Sequence, residues 1–344
     1  MANINRTINQ IPNSGIDFQV YITVPTAGMS NAPTGKGTLG DLRITDTNAG
    51  ISVPFWVEDV VSGQVRIWVK IRTNLALGNA PIVINHSEGN TQTWTGDDVF
   101  ELFEDFNSTD YSTYDEKWIA YLGTSTGATI ESFNLQALVD ANGLSITGGI
   151  ANVGLGRLNK YVGIYTNRKF GCGYGMVARA FLANTGQGSH GIGLPASITP
   201  SDFADSPDYV LHNHFRSFWQ GSVNRYEWRN NGSGQTANAS TDFELAWHIF
   251  ELDVASDNVK HTIDHNVVSN QNVTTPVVDG HATVFGINAW TGESVATNRN
   301  NFLDWVGIKK IPSPVRNDEN VYVTDEKGLT DISDPVAKIL LPQP

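Results

Sequence analysis

A single cysteine, Cys172, occurs in the 344 residues of this chain. An intrachain disulfide is thereby excluded. The flanking FGCGYG offers neither a metal-ligand spacing nor a partner base, so the expected role is a small buried hydrophobe. Positive charge is also scarce: 22 Lys and Arg stand against 35 Asp and Glu, for a net charge of -13. Wrapping a polyanion such as DNA relies on clustered Lys and Arg that release counterions, so no nucleic-acid partner is expected. No hydrophobic run approaches the roughly 20 residues of a membrane span, so no membrane insertion is expected. The first residues, MANINRTINQIPNSG, lack an apolar core behind a basic start, and no export signal is expected in this chain. Long helical periodicity is absent as well.

What is present is the vocabulary of an all-β protein: 33 Gly, 9 Trp, and short runs of Val, Ile, Thr, Phe and Tyr between turn residues. The length suits two domains and a tail. The expected organisation is a small β-sandwich over 1–96, a seam over 97–118 and a larger jelly roll over 119–312. An extended C-terminal tail over 313–344 completes it. In the first module Phe18, Val20, Ile22 and Val24 alternate with polar positions up to Pro25. Val65, Ile67, Val69 and Ile71 alternate in the same way with Arg66, Trp68, Lys70 and Arg72 after a Ser62-Gly63 turn. Both read as half-buried strands. Arg43, Asp46, Glu58 and Lys70 read as cross-strand pairs or turn caps rather than a site.

The run GDLRITDTNAGISVPFWVEDVVSGQVRIWVKI resembles domain of unknown function 2341, a β-sandwich module of bacterial and archaeal surface proteins. The likeness rests on Asp41, Arg43, Asp46, Pro54, Trp56, Glu58, Trp68, Val69 and Lys70 in order. Its usual Tyr-Gly-Asn ending is replaced by Asn85-His86-Ser87-Glu88-Gly89-Asn90, so that corner is expected to be rebuilt. The resemblance implies a fold and a concanavalin-like neighbour, but no reaction.

The seam Val99–Trp118 interleaves aromatics with carboxylates, which suits apolar anchors with wet acids rather than a catalytic cluster. Beyond it, Trp247-His248-Ile249-Phe250-Glu251-Leu252-Asp253-Val254 and Val259-Lys260-His261-Thr262-Ile263-Asp264 read as a hairpin. Trp247, Ile249 and Val254 are expected to pack, with the intervening polar positions outward. Together with Phe302–Lys310, this run resembles laminin-G and concanavalin-like lectin domains. Asp264-His265-Asn266 departs from the family's Asp-Gly and implies a longer turn.

A fold of this kind hosts many functions. Jelly-roll glycosidases carry Glu-x-Asp-x-x-Glu on one strand, and here Glu251-Leu252-Asp253 is followed by Ser256 where the second Glu belongs, so no enzyme is expected. The densest mixture of aromatic and polar residues is the candidate ligand surface: Tyr209, His212, His214, Arg216, Trp219, Arg225, Tyr226 and Trp228. Sugars stack on aromatic rings and have their hydroxyls fixed by polar side chains; the competing reading makes the aromatics core. His212-x-His214 lacks a third ligand, and although calcium is common in the resembled fold, no Asp-rich loop stands out; no metal or other cofactor is expected.

Surface-type modules with no export signal lead to the expectation of a non-enzymatic virion-exposed structural protein. It would be a tail, fibre or capsid-decoration component made in the host cytoplasm and binding host glycans. The tail, with Val321-Tyr322-Val323 and Val336–Leu341, is expected to mediate self-association or contact with other virion proteins. The alternative is a cellular surface adhesin or carbohydrate-binding protein in an extracellular location, and the third reading is a polysaccharide-degrading enzyme.

Overall fold

The computed structural model describes residues 4–10, 17–46, 50–71, 82–106, 117–122, 151–153, 160–182, 188–196, 214–220, 223–229, 247–255, 258–272, 280–288, 301–311 and 321–324. The chain is all-β and divides into two compact units, Met1–Phe103 with Lys309–Pro344, and Glu104–Ile308. The first unit begins with β1 (Ile4–Gln10), β2 (Phe18–Pro25), β3 (Arg43–Asp46), β4 (Ile51–Ser52), β5 (Phe55–Val61), β6 (Gln64–Ile71) and β7 (Ile82–Ser87). A one-turn helix, α1 (Gly96–Val99), and β8 (Leu102–Glu104) follow.

Strands β2, β6 and β5 form a three-stranded sheet in that order. Register pairs Phe18 with Ile71, Val20 with Val69, Ile22 with Ile67 and Val24 with Val65, so the alternation of both strands feeds one face. That face is buried with Leu42, Ile44 and Val53 to form the core. Each such side chain contributes about 1.5–3 kcal/mol. The turn from β5 to β6 is Ser62-Gly63, both at positive φ (51° and 77°), the two-residue hairpin whose twist matches the strands. Gly40, in the motif shared with the resembled module, also sits at positive φ, and a methyl there would overlap the Asn31 carbonyl. The corner after β7 is held by Glu88, which accepts from the Ser30 amide at 2.5 Å, and by the Asn90 amide, which donates to the Asp41 carbonyl at 3.1 Å.

The second face of the sheet differs from a half-wet strand pattern. Trp68 is buried, and its indole donates to the buried Glu58 carboxylate at 2.7 Å. Phe100 and Phe103 stack on each other with centroids 5.4 Å apart, and both meet Trp56 edge-on. Lys309 lies 5.0 Å from the Trp68 ring centroid. Gln19, also buried, donates from Nε2 to the Val99 carbonyl at 2.7 Å and accepts at Oε1 from the Lys310 amide at 2.5 Å. Two of the seam's described acids are not wet: Glu101 is half-buried beside Lys70 at 3.4 Å, and Glu104 is buried, accepting from the Phe106 amide at 3.1 Å. Aromatic cover excludes water here, so the carboxylates take protein donors instead.

The remaining strands are β9 (Trp118–Leu122), β10 (Ala151–Val153), β11 (Lys160–Phe170), β12 (Tyr174–Leu182), β13 (Gly188–Ala196), β14 (His214–Gln220) and β15 (Val223–Arg229). After them come β16 (Trp247–Val254), β17 (Asn258–Ile263), β18 (Asn266–Asn272), β19 (Gly280–Asn288), β20 (Asn301–Lys310) and β21 (Val321–Thr324). The second unit holds two larger sheets, one ordered β10-β20-β12-β16-β17-β18, with β8 beside β20, and the other, antiparallel throughout, ordered β15-β14-β13-β19-β11-β9. Strands β13 and β14 pack on β16, making a sandwich. In the first unit the remaining sheet runs β21-β1-β7-β3-β4, so Val321–Thr324 of the tail pairs with β1 of the same chain.

The hairpin β16–β17 corrects two expectations. Its polar positions do not face water: Glu251 and Asp253 are buried, engaged by His265 and Lys260. Nor is the turn before β18 longer. Ile263 pairs directly with Asn266, and Asp264 and His265 both take positive φ (49° and 62°), a tight two-residue loop without glycine.

Candidate functional site

The ligand surface read from the sequence falls on β14 and β15 at the edge of the six-stranded sheet. Tyr209 and His212 lie outside the described residues. Register pairs His214 with Arg229, Arg216 with Glu227 and Phe218 with Arg225. It also pairs Phe215 with Trp228, Ser217 with Tyr226 and Trp219 with Asn224. Facing residues of an antiparallel pair lie on one side of the sheet, and successive residues alternate. His214, Arg216 and Arg225 therefore share one face, and Trp219, Tyr226 and Trp228 share the other.

Neighbouring strands identify the faces. Phe215 pairs with Ile192 of β13, which pairs with Val284 of β19, which pairs with Ile164 of β11. On this side Ile192, Ala282, Thr166 and Trp118 are buried. The Trp219, Tyr226 and Trp228 positions thus belong to the core side of the sandwich. The opposite face is the one that holds the cations. One cross-strand row there runs Arg229, His214, Gly193, Thr283, Tyr165, Ile119, and the next runs Glu227, Arg216, Gly191, Phe285, Gly163, Tyr121.

Tyr165 of the first row is half-buried, and its ring meets His281 edge-on with centroids 5.3 Å apart. The His281 Nδ1 lies 2.6 Å from the Thr166 carbonyl oxygen, which fixes the imidazole beside that ring. Tyr121, Tyr165 and Phe285 escaped the sequence reading because they come from strands up to 164 residues apart in the chain. Only sheet register brings them to one face.

A second polar group occupies the seven-stranded sheet. Glu251 Oε1 is 2.8 Å from His265 Nδ1, and both side chains are buried. Asp253 pairs with Lys260 at 3.3 Å, and Arg179 with Asp304 at 3.0 Å. Glu251 and Asp253 are the carboxylates weighed against the glycosidase pattern; Ser256 lies outside the described residues. Both are buried, Glu251 beside His265 and Asp253 beside Lys260. Cys172 is half-buried in the turn from β11 to β12, not in the core, and burial pushes its thiol above the ordinary value. The polar quartet of the first module is dispersed: Arg43 is exposed, Asp46 is buried at the far end of β3, and Glu58 and Lys70 lie on the other sheet. Among the described residues no group of three His, Cys, Asp or Glu side chains could hold a metal.

The tight β17–β18 turn carries a titrating group. Burial alone would raise Asp264, but hydrogen bonds from His248 (2.7 Å) and the Ile249 amide (2.9 Å), with the fields of His248 and His265, outweigh it and hold the carboxyl below its usual range. A depressed acid contributes stability above its unfolded value, near about 3.9, and loses it as pH falls through the lower folded value. Asp264→Asn keeps an acceptor for Ile249 and tolerates positive φ. It is expected to lose about 1 kcal/mol or less at neutral pH, since solvent screens a carboxylate 46% exposed. In denaturant titrations the gap from the parent should close as the parent's Asp264 becomes protonated; a gap independent of pH would refute the charge argument.

Comparison with known proteins adds a family and a set of shapes. Residues 38–121 match a domain of unknown function, DUF2341. No curated protein matches the chain. Similar solved structures include a prokaryotic β-1,3-1,4-glucanase (lichenase) from a mouse hindgut metagenome, at 16% identity, TM-score 0.38, covering 61% of this chain and 99% of that one. The Bacillus licheniformis β-glucanase gives 15%, 0.39, 61% and 97%. A Crh5 transglycosylase in complex with NAG gives 15%, 0.39, 64% and 86%. These neighbours overturn the expectation of a non-enzymatic virion-exposed structural protein, and with it the expectation that no enzyme is present. They are by name carbohydrate-active enzymes. At such identities and TM-scores the likeness assigns no reaction or substrate to this chain.

Proposed function

We propose that the second unit is a carbohydrate-active module, a concanavalin-like sandwich of laminin-G type, whose ligand surface is the face of the six-stranded sheet opposite its core. The observation that carries this reading is the cross-strand grouping of Tyr121, Tyr165 and Phe285 with Arg216, His214 and Thr283. Aromatic rings supply stacking platforms for the apolar faces of sugar rings, and guanidinium, imidazole and hydroxyl groups fix the sugar's oxygens. Gly163 and Gly191 stand between these positions in the second row and carry no side chain, so a chain of sugars could approach the backbone there.

The test is affinity electrophoresis of the full chain through gels containing a panel of polysaccharides, with product analysis on the same panel. Retardation by at least one polysaccharide is expected. Tyr165→Ala should weaken it about three- to tenfold, the loss of one aromatic contact. Absence of retardation and of cleavage across the panel would end this reading. So would retardation that Tyr165→Ala leaves unchanged.

A further inference from the structure

Resting on that reading, we infer that the ligand is an anionic polysaccharide, one bearing carboxylate or sulfate groups. The basis is where the register collects charge. The chain carries a net charge of -13, and the general expectation for such a protein is to repel polyanions. The positions of β14 and β15 on the face opposite the core depart from that balance. On β14 and β15 the charged residues are Arg216, Arg225, Arg229 and Glu227, all four at positions of that one face, with His214 beside them.

Glu227 is directly opposite Arg216 in register, so these two positions carry balancing charge. Arg225 and Arg229 stand two residues to either side of Glu227 along β15, about 7 Å away in each direction. A fully extended strand thus spaces two guanidinium positions about 13 Å apart along the sheet edge. Guanidinium is the group best suited to carboxylate and sulfate, since its planar fork meets two oxygens at once and it never loses its proton at physiological pH. Two further arginine positions on the same face suit an acidic chain lying across the rows better than a neutral glucan, which offers no anion to a guanidinium fork.

A plainer role for these cations is to keep edge strand β15 from pairing with another chain. The experiment separates the two. The full chain is run by affinity electrophoresis against polygalacturonate, dextran sulfate, unsubstituted dextran, barley β-glucan and polyphosphate, each at low and high salt. Retention by polygalacturonate or dextran sulfate is expected to exceed that by the neutral polymers at least tenfold and to fall at high salt. Which of the two acids retains the chain identifies the anionic group. Arg225→Gln and Arg229→Gln should each reduce that retention at least fivefold with the melting temperature unchanged. Arg225→Lys, which keeps the charge but not the fork, should lie between.

Retention by dextran or β-glucan alone would overturn the inference while leaving the carbohydrate reading intact, and retention by none of the polysaccharides would overturn both. Equal retention by polyphosphate would reduce the face to a simple ion exchanger and overturn the inference. Unchanged binding in the arginine variants, accompanied by concentration-dependent association, would assign those residues to edge protection instead.

Discussion

Phe103→Ala is expected to destabilise the first unit by about 3–5 kcal/mol, the cost of truncating a buried aromatic ring. Phe103 is 5% exposed and sits against Trp56 at 4.8 Å and Phe100 at 5.4 Å between ring centroids. Its removal takes away both ring contacts and leaves a cavity beside Trp56 and Phe100. Gly96 gives the complementary test. It begins α1, and a methyl group there would run into the Phe103 ring. Gly96→Ala should therefore cost about 1–3 kcal/mol by overpacking, despite replacing glycine with a better helix former. The two effects should not add: in the double variant the ring that clashes has gone, and the methyl partly fills its place. Urea unfolding of the four proteins of this cycle measures the coupling. Additive losses would mean that Gly96 and Phe103 do not meet.

The second large effect is expected at Gln19. Gln19→Leu leaves the Val99 carbonyl without the donor at 2.7 Å and the Lys310 amide without its acceptor. An unsatisfied buried backbone group costs about 1–3 kcal/mol, so the two together should cost about 2–5 kcal/mol. Gln19→Glu discriminates further. It keeps the acceptor for Lys310 but turns a carboxylate oxygen toward the Val99 carbonyl, so it should be destabilising at neutral pH and partly recover in acid, where the protonated carboxyl can donate again. Loss of less than about 0.5 kcal/mol in Gln19→Leu, no more than an ordinary surface change, would remove Gln19 from this role.

Legibility of the sequence follows how local each determinant is. The period of two in Phe18–Val24 and Val65–Ile71 is written into the strands themselves, and so is the Ser62-Gly63 turn that sets their register. The second buried face was not legible. Trp68 and Lys70 alternate with aliphatic residues as solvent-facing positions would, and Phe100, whose ring packs on Trp68, arrives about 30 residues later. Glu251 and Asp253 looked outward for the same reason, since nothing in β16 announces that His265 and Lys260 engage them. For the candidate site, alternation within β14 separates His214 and Arg216 from Trp219. Matching β15 to it required the pairing of Gln220 with Val223. Tyr165 and Phe285 carried no local signal at all.

The path of the chain through its two units has a consequence in time. The first unit is finished only when Val321–Thr324 reaches β1, and more than 300 residues of this sequence separate the two strands. At roughly 5–20 residues per second, β1 would wait on the order of 15–60 s for β21 after leaving the ribosome. The second unit, contiguous from Glu104 to Ile308, can close before that. Throughout the interval one side of β1 offers a row of bare amides and carbonyls to any passing strand. Of the two units, the one whose strands come first in the sequence is thus the last to be completed.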